Sequence, residues 1–236
     1  MYVINRLKKY IFLFLLLAGY TSLGAQARYL GELGIMGGDS YYNGDANSTK
    51  IFYENNLAVG AFIRAHATDR FMIKFSVTRG GASGDTRNFE NILPNNQQAD
   101  FEQKYWDFGL HLEHNFLKYG MDSWDREMKR HTPYILVGPG LTIYEQWSGN
   151  RHTFNFTFGV GYKFKLCDRL NIGVEWAMRK LFIDNFDVTS HSNSILNDPY
   201  NMGHSWIKNN DYYTTALLFL SVDLLKKKGA CRGIKF

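Results

Sequence analysis

Between residues 153 and 166 every second position is apolar: Phe154, Phe156, Phe158, Val160, Tyr162, Phe164 and Leu166. The positions between them (Thr153, Asn155, Thr157, Gly159, Gly161, Lys163, Lys165) are small, polar or charged. Side chains alternate across a strand, so this pattern predicts one continuously apolar face and one wet face. The run is about twice the usual strand length of a water-soluble sheet. It matches a wall that faces lipid.

The same period of two recurs along the chain. Strands are predicted at 28–38 (Leu33 and Ile35 against Glu32 and Gly34), 57–66, 71–79 and 101–116. Four more follow at 132–145, 153–166, 170–182 and 211–225. Residues 67–70 and 167–169 read as tight turns. Residues 39–56, 80–100 and 183–210 read as long polar loops, 146–152 as a medium loop, and 117–131 as a charged connection. Pro139, inside the fifth strand, removes one ladder donor and predicts a local bulge. Eight strands whose connections alternate long and short, except for the one after the fourth, predict an all-β fold, an eight-stranded antiparallel transmembrane β-barrel. Long loops would then be extracellular, short turns periplasmic, and both termini periplasmic.

The polar parity of these strands gathers Arg64, Lys74, Lys163, Lys165 and Arg179 with Glu32, Asp107, Glu113, Glu175 and Asp223. Five positive and five negative groups on the inner face predict a salt-bridged plug, because about eight strands enclose only enough room for side chains. A lumen of that kind is not a conduit.

Composition sharpens the class. The 236 residues have a mean hydropathy of −0.31, with 16% aromatic residues and 4 Pro, which excludes a helical membrane protein and suits β-structure. The first 27 residues read as a signal peptide: Arg6, Lys8 and Lys9 precede an apolar run, and Ala25-Gln26-Ala27 is a cleavage pattern. That segment holds three of the 27 basic residues and no acids, so the remainder carries 24 minus 22, or +2. Five of those bases (Lys226, Lys227, Lys228, Arg232, Lys235) crowd the last eleven residues, in a basic tail at 226–236. The pI of 9.0 is therefore positional and predicts no nucleic-acid partner.

Candidate chemistry is sparse. The seven His residues form none of the common metal-ligand spacings, and no cofactor motif is present. His66 and His111 share the inward parity and His114 the outward one. His131, His152, His191 and His204 fall in loops or at strand edges. Ser190-His191-Ser192-Asn193-Ser194 sits in the longest predicted loop, with no strand to hold a nucleophile against its base, so a lipid-modifying enzyme is the weakest reading. Cys167 and Cys231 would both meet an oxidising compartment, joined to each other or one of them to a partner. The tail lysines could rest on anionic outer-membrane lipid or dock a periplasmic protein.

Several stretches resemble the PorG-like outer-membrane proteins of the type IX secretion system of Gram-negative bacteria. They are Glu32-Leu33-Gly34-Ile35 with Ser40-Tyr41-Tyr42-Asn43-Gly44-Asp45, Thr132-Pro133-Tyr134 through Gly138-Pro139-Gly140, and Glu175-Trp176-Ala177-Met178-Arg179 with residues 184–190. Pro139 stands where that family usually has Gly, and Asn185-Phe186 replace Tyr-Leu. The resemblance implies a non-enzymatic barrel that anchors the periplasmic ring proteins PorK and PorN. Partner contacts would fall on the periplasmic ends: Arg70, Arg126, Lys129, Cys167, Arg169, Lys226, Lys227, Lys228, Cys231 and Arg232. The alternative is an adhesin-like barrel whose outer loops bind ligands or surfaces.

Overall fold

The computed structural model describes residues 29–43, 54–68, 70–88, 97–120, 127–146, 149–183, 185–190, 196 and 211–226. The expected signal peptide and the tail after Lys226 lie outside the described residues. The elements are β1 (Tyr29–Asn43), β2 (Asn56–His66), β3 (Phe71–Asp85), β4 (Asp100–Asn115), β5 (His131–Gln146), β6 (Gly149–Lys165), β7 (Leu170–Leu181) and β8 (Tyr212–Lys226). Each strand pairs antiparallel with its chain neighbour, and β8 closes on β1.

The barrel geometry can be followed through the register. Gly31 pairs with Ala65, and the row continues through Ile73, Leu112, Val137, Phe158, Met178 and Thr214 to return to β1 at Tyr41. One circuit thus climbs ten residues along β1, from 31 to 41. At about 3.3 Å per residue and about 4.8 Å between strands, that shift tilts the strands by about 40°. Phe154 to Leu166 then spans about 30 Å along the barrel axis.

The alternation is inverted relative to a water-soluble protein. Outward side chains are large, apolar and exposed on seven of the strands, including Ile35, Ile63, Phe75, Leu110, Phe158, Val174 and Leu220, and half-buried on β5 (Ile135, Val137, Leu141, Ile143). Inward side chains are buried and include the charged residues together with a smaller apolar set, Met36, Phe62, Leu136, Leu217 and Phe219. Aromatic pairs mark the two edges of the apolar band. At the end carrying the termini, Phe71 packs on His114 (4.6 Å between centroids) and His131 stacks on Tyr162 (5.8 Å). At the opposite, loop end, Arg79 lies over Trp106 (5.4 Å) and Lys180 over Tyr212 (5.3 Å). Long cationic chains with aromatic partners suit a membrane–water boundary.

Several strands run further at the loop end than the sequence pattern indicates. β1 continues to Asn43 and β3 to Asp85, through stretches read as loop because they are rich in Gly and polar residues. Gly80 is there for space: a side chain on it would strike the Tyr105 ring. The predicted loop at 146–152 is instead part of a tight hairpin. Gln146 pairs with Gly149, and Asn150, Arg151 and His152 belong to β6. Pro139 makes no bulge. The β4–β5 register is the same at Gly109↔Gly140 and at Leu112↔Val137, with only the intervening pairs missing. Beside Pro139 the two strands come close, since a side chain on Gly138 would meet the Leu110 carbonyl and the His111 backbone. Lys226, read as the start of the tail, is the last residue of β8 and pairs with Tyr29.

Candidate functional site

All ten inward charged residues face one another inside the barrel, each with at most 5% of its side chain exposed. They form layers along the axis. Nearest the termini, Lys165 pairs with Asp223, which also accepts from Asn171 Nδ2 (2.9 Å). Above it, Arg64 donates to Glu32 (2.6 Å) and to Glu113 (2.9 Å), and Lys163 reaches the same Glu113 at 3.3 Å. The Ser221 hydroxyl donates to Glu32.

Next, Lys74 donates to Glu175 (2.6 Å), which also accepts from the Tyr134 hydroxyl (2.7 Å). The Arg64 guanidinium lies over the Phe62 and Phe219 rings at 4.6 and 5.3 Å. Highest, Asp107 accepts from Arg179 Nε (2.7 Å), Asn155 Nδ2 (2.7 Å) and the Tyr213 hydroxyl (2.9 Å). Charges taken out of water are tolerated only when paired and hydrogen-bonded. Within this network acid and base occur in equal number at hydrogen-bond range, so the ten groups balance one another.

Both mouths are stoppered by parts of the chain that periodicity leaves as connections. At the loop end Phe186 turns into the barrel, stacked on Tyr213 (5.7 Å, 18°) and edge-on to Tyr144 (5.3 Å). Its amide donates to Asp211 (3.0 Å), and the Tyr42 hydroxyl sits between Asp211 and Asp187. Tyr42, Phe101, Tyr105, Val188 and Leu196 complete this apolar cap. At the other end Tyr119, from the β4–β5 connection, donates to Asn171 Oδ1 (2.8 Å) and lies 5.1 and 5.3 Å from the Lys163 and Lys165 ammonium groups. Burial pushes the Tyr119 phenol well above its ordinary range, so it stays a donor.

A Phe186→Ala variant is expected to open the cap locally. Losing one buried aromatic side chain removes about 1.5–3 kcal/mol, roughly a 10–150-fold rise in amide exchange at residues 185–190. Exchange in β3 and β4 should stay as it is; uniform acceleration across all strands would show that the cap is part of the global fold.

One convergence is invisible in sequence. Glu32, His66 and Asp223, from three strands, bring possible ligand atoms within 4.8 Å of one another. The Glu32 carboxylate is 3.7 Å from His66 Nε2. Both oxygens of Asp223 are already taken by Lys165 and Asn171, and Arg64 holds Glu32. A divalent ion would have to displace Lys165 from an already balanced network, so the trio works better as part of the plug.

The described candidate partner residues occupy one end of the barrel. Arg70 is exposed on the β2–β3 turn, Lys129 on the β4–β5 connection, and Cys167 and Arg169 on the β6–β7 turn. The Arg169 guanidinium lies 6.0 Å over the Tyr29 ring, whose hydroxyl donates to Asp168 (2.8 Å). Arg126, Lys227, Lys228, Cys231 and Arg232 lie outside the described residues, as do His191 and His204.

Residues 7–232 match the family described as Domain of unknown function (DUF6089). No curated protein matches the chain. Among solved structures, Neisserial surface protein A is similar at 8% identity and TM-score 0.49, covering 82% of this chain and 97% of that one. The attachment invasion locus protein Ail of Yersinia pestis is similar at 12% identity and TM-score 0.45, covering 84% and 99%. The outer membrane protein OprG of Pseudomonas aeruginosa is similar at 10% and 0.44, covering 85% and 99%.

Proposed function

The chain belongs to the family described as Domain of unknown function (DUF6089), and from that premise we propose that it is a non-enzymatic outer-membrane barrel anchoring a periplasmic assembly. The observation that carries this is the filled lumen. A cylinder occupied by paired charges from Asp223 to Asp107 and stoppered at both mouths is built to hold position in the membrane. What remains available for function is its two ends.

On this reading the end with the termini and tight turns faces the periplasm, and the loop end faces outward. The resemblance to PorG-like proteins makes the type IX secretion ring, with its PorK and PorN subunits, the proposed partner. Arg70, Lys129 and Arg169 stand exposed on three separate connections around that end, beside the point where the basic tail leaves β8. Such a spread of positive charge suits a broad, polar, acid-bearing surface.

Removing residues 227–236 tests the assignment. The truncated barrel is expected to reach the outer membrane and keep its folded migration on gels, while co-purification of ring proteins falls to background. Undiminished co-purification would refute a tail-borne contact, and dependence only on the 183–210 loop would turn the reading towards an adhesin.

A further inference from the structure

The outer wall is not uniform. Where β6, β7, β8 and β1 adjoin, it is indented by a groove of about 560 Å³ on the lipid-facing side. Its origin is a size mismatch across the strands. Ala216 is flanked in register by Trp176 on β7 and by Asp39 on β1, while Val174 is paired with Leu218. Leu218 is 63% exposed and stands proud, whereas Ala216 offers one methyl group and leaves a trough. Val160, paired with Trp176, continues the trough onto β6. Towards the loop end it is closed by Trp176 Nε1, which donates to the Tyr41 hydroxyl (2.6 Å).

Asp39 lies on the rim of this trough, near the loop-end edge of the apolar band. It points outward, exposed, between Leu57 on β2 and Ala216 on β8. It has no hydrogen bond or ion pair among the described residues. Two other outward charges near that edge lie against aromatic rings, Arg79 on Trp106 and Lys180 on Tyr212. A lone carboxylate against a lipid-facing surface is costly in proportion to its depth, and an ammonium group would offset that cost. Trough and carboxylate together describe an amphiphile with an alkyl chain and a protonated amine.

We propose that this groove binds a single lipid whose headgroup bears a protonated amine, one acyl chain lying along Val160, Val174 and Trp176 over Ala216, and the ammonium group on Asp39. The site depends on the membrane-spanning fold and is independent of the anchoring role.

Native mass spectrometry of the full chain tests it, with palmitoyl-oleoyl phosphatidylethanolamine and the matching phosphatidylglycerol added at equal concentration. The unaltered protein should retain one phosphatidylethanolamine in preference to phosphatidylglycerol by roughly fivefold, the upper range for an exposed charge pair. Asp39→Asn should abolish the preference while leaving retention of both. Ala216→Phe should fill the trough and remove retention of both, and Leu218→Ala, which lowers its wall, should weaken it. Heat-modifiable gel migration establishes that each variant is folded. Retention no greater than that of Ala216→Phe, a preference that survives Asp39→Asn, or a protein segment found in the groove would overturn the proposal.

Discussion

A Glu113→Gln variant is expected to lose about 3–5 kcal/mol of stability, the cost of leaving buried charge uncompensated. Glu113 is where two cations converge: Arg64 at 2.9 Å and Lys163 at 3.3 Å, all three side chains fully buried. Arg64 keeps Glu32 after the change, but Lys163 keeps only the Met72 sulfur at 3.2 Å and the faces of Tyr119 and Tyr134. The network, balanced at five acids and five bases, would then carry one excess positive charge that neither lipid nor water can reach. Urea unfolding of the barrel in detergent micelles measures the loss. The double variant Glu113→Gln/Lys163→Met separates charge from shape, because it restores neutrality while keeping most of the volume. It should recover more than half of the lost stability. Equal instability of the single and double variants would mean that hydrogen-bond geometry at Glu113, and not net charge, holds the lumen together.

That network also shows how much of this protein is legible in its sequence. The apolar/polar period of two along 153–166 is enough to orient Lys163 and Lys165 inward and the Phe series outward, because a strand offers only two faces. Repeating the reading on eight strands places Glu32, Arg64 and the rest on the inner surface without any knowledge of register. Which acid meets which base is another matter. Lys74 finds Glu175 four strands away across the lumen, not on a neighbouring strand, and that pairing is set by tilt and shear. The same limit hides the meeting of Glu32, His66 and Asp223.

Strand ends are misread for a different reason. Ser40 and Tyr42 continue the inward series of β1, yet they sit in a composition rich in Asn, Asp and Gly that reads as loop. Gly80 and Gly81 likewise look like punctuation but make room for Tyr105 and Asn56. The stoppers escape a period-based reading entirely. Phe186 and Tyr119 are single aromatic residues in irregular segments, and nothing local distinguishes them from exposed ones. Among the residues proposed to meet a partner, sequence identifies the end of the barrel on which Arg70, Lys129, Cys167 and Arg169 stand, since that follows from counting strands. It cannot say which of them touches a partner.

Placing an arginine at Phe158 provides the sharpest test of the lipid-facing wall. Phe158 is outward on β6, 48% exposed, in register with Val137 and Met178 and near the middle of the apolar band. At that depth in hydrocarbon a guanidinium costs about 2–4 kcal/mol. Phe154, also outward but at the loop-end margin of the band and 68% exposed, should accept the same change for about 0–1 kcal/mol. The two sites share residue type, strand and face, so their difference isolates depth in the membrane. In a water-soluble barrel the argument reverses: arginine at either exposed position would fall within about 0.5 kcal/mol of the parent, as surface changes generally do. Equilibrium unfolding in phospholipid vesicles, where the hydrocarbon thickness is defined, reads both variants. Equal, small losses at 154 and 158 would place the Phe series in water. A graded loss, larger at 158, makes the alternation of this one strand a measured profile of the surrounding bilayer.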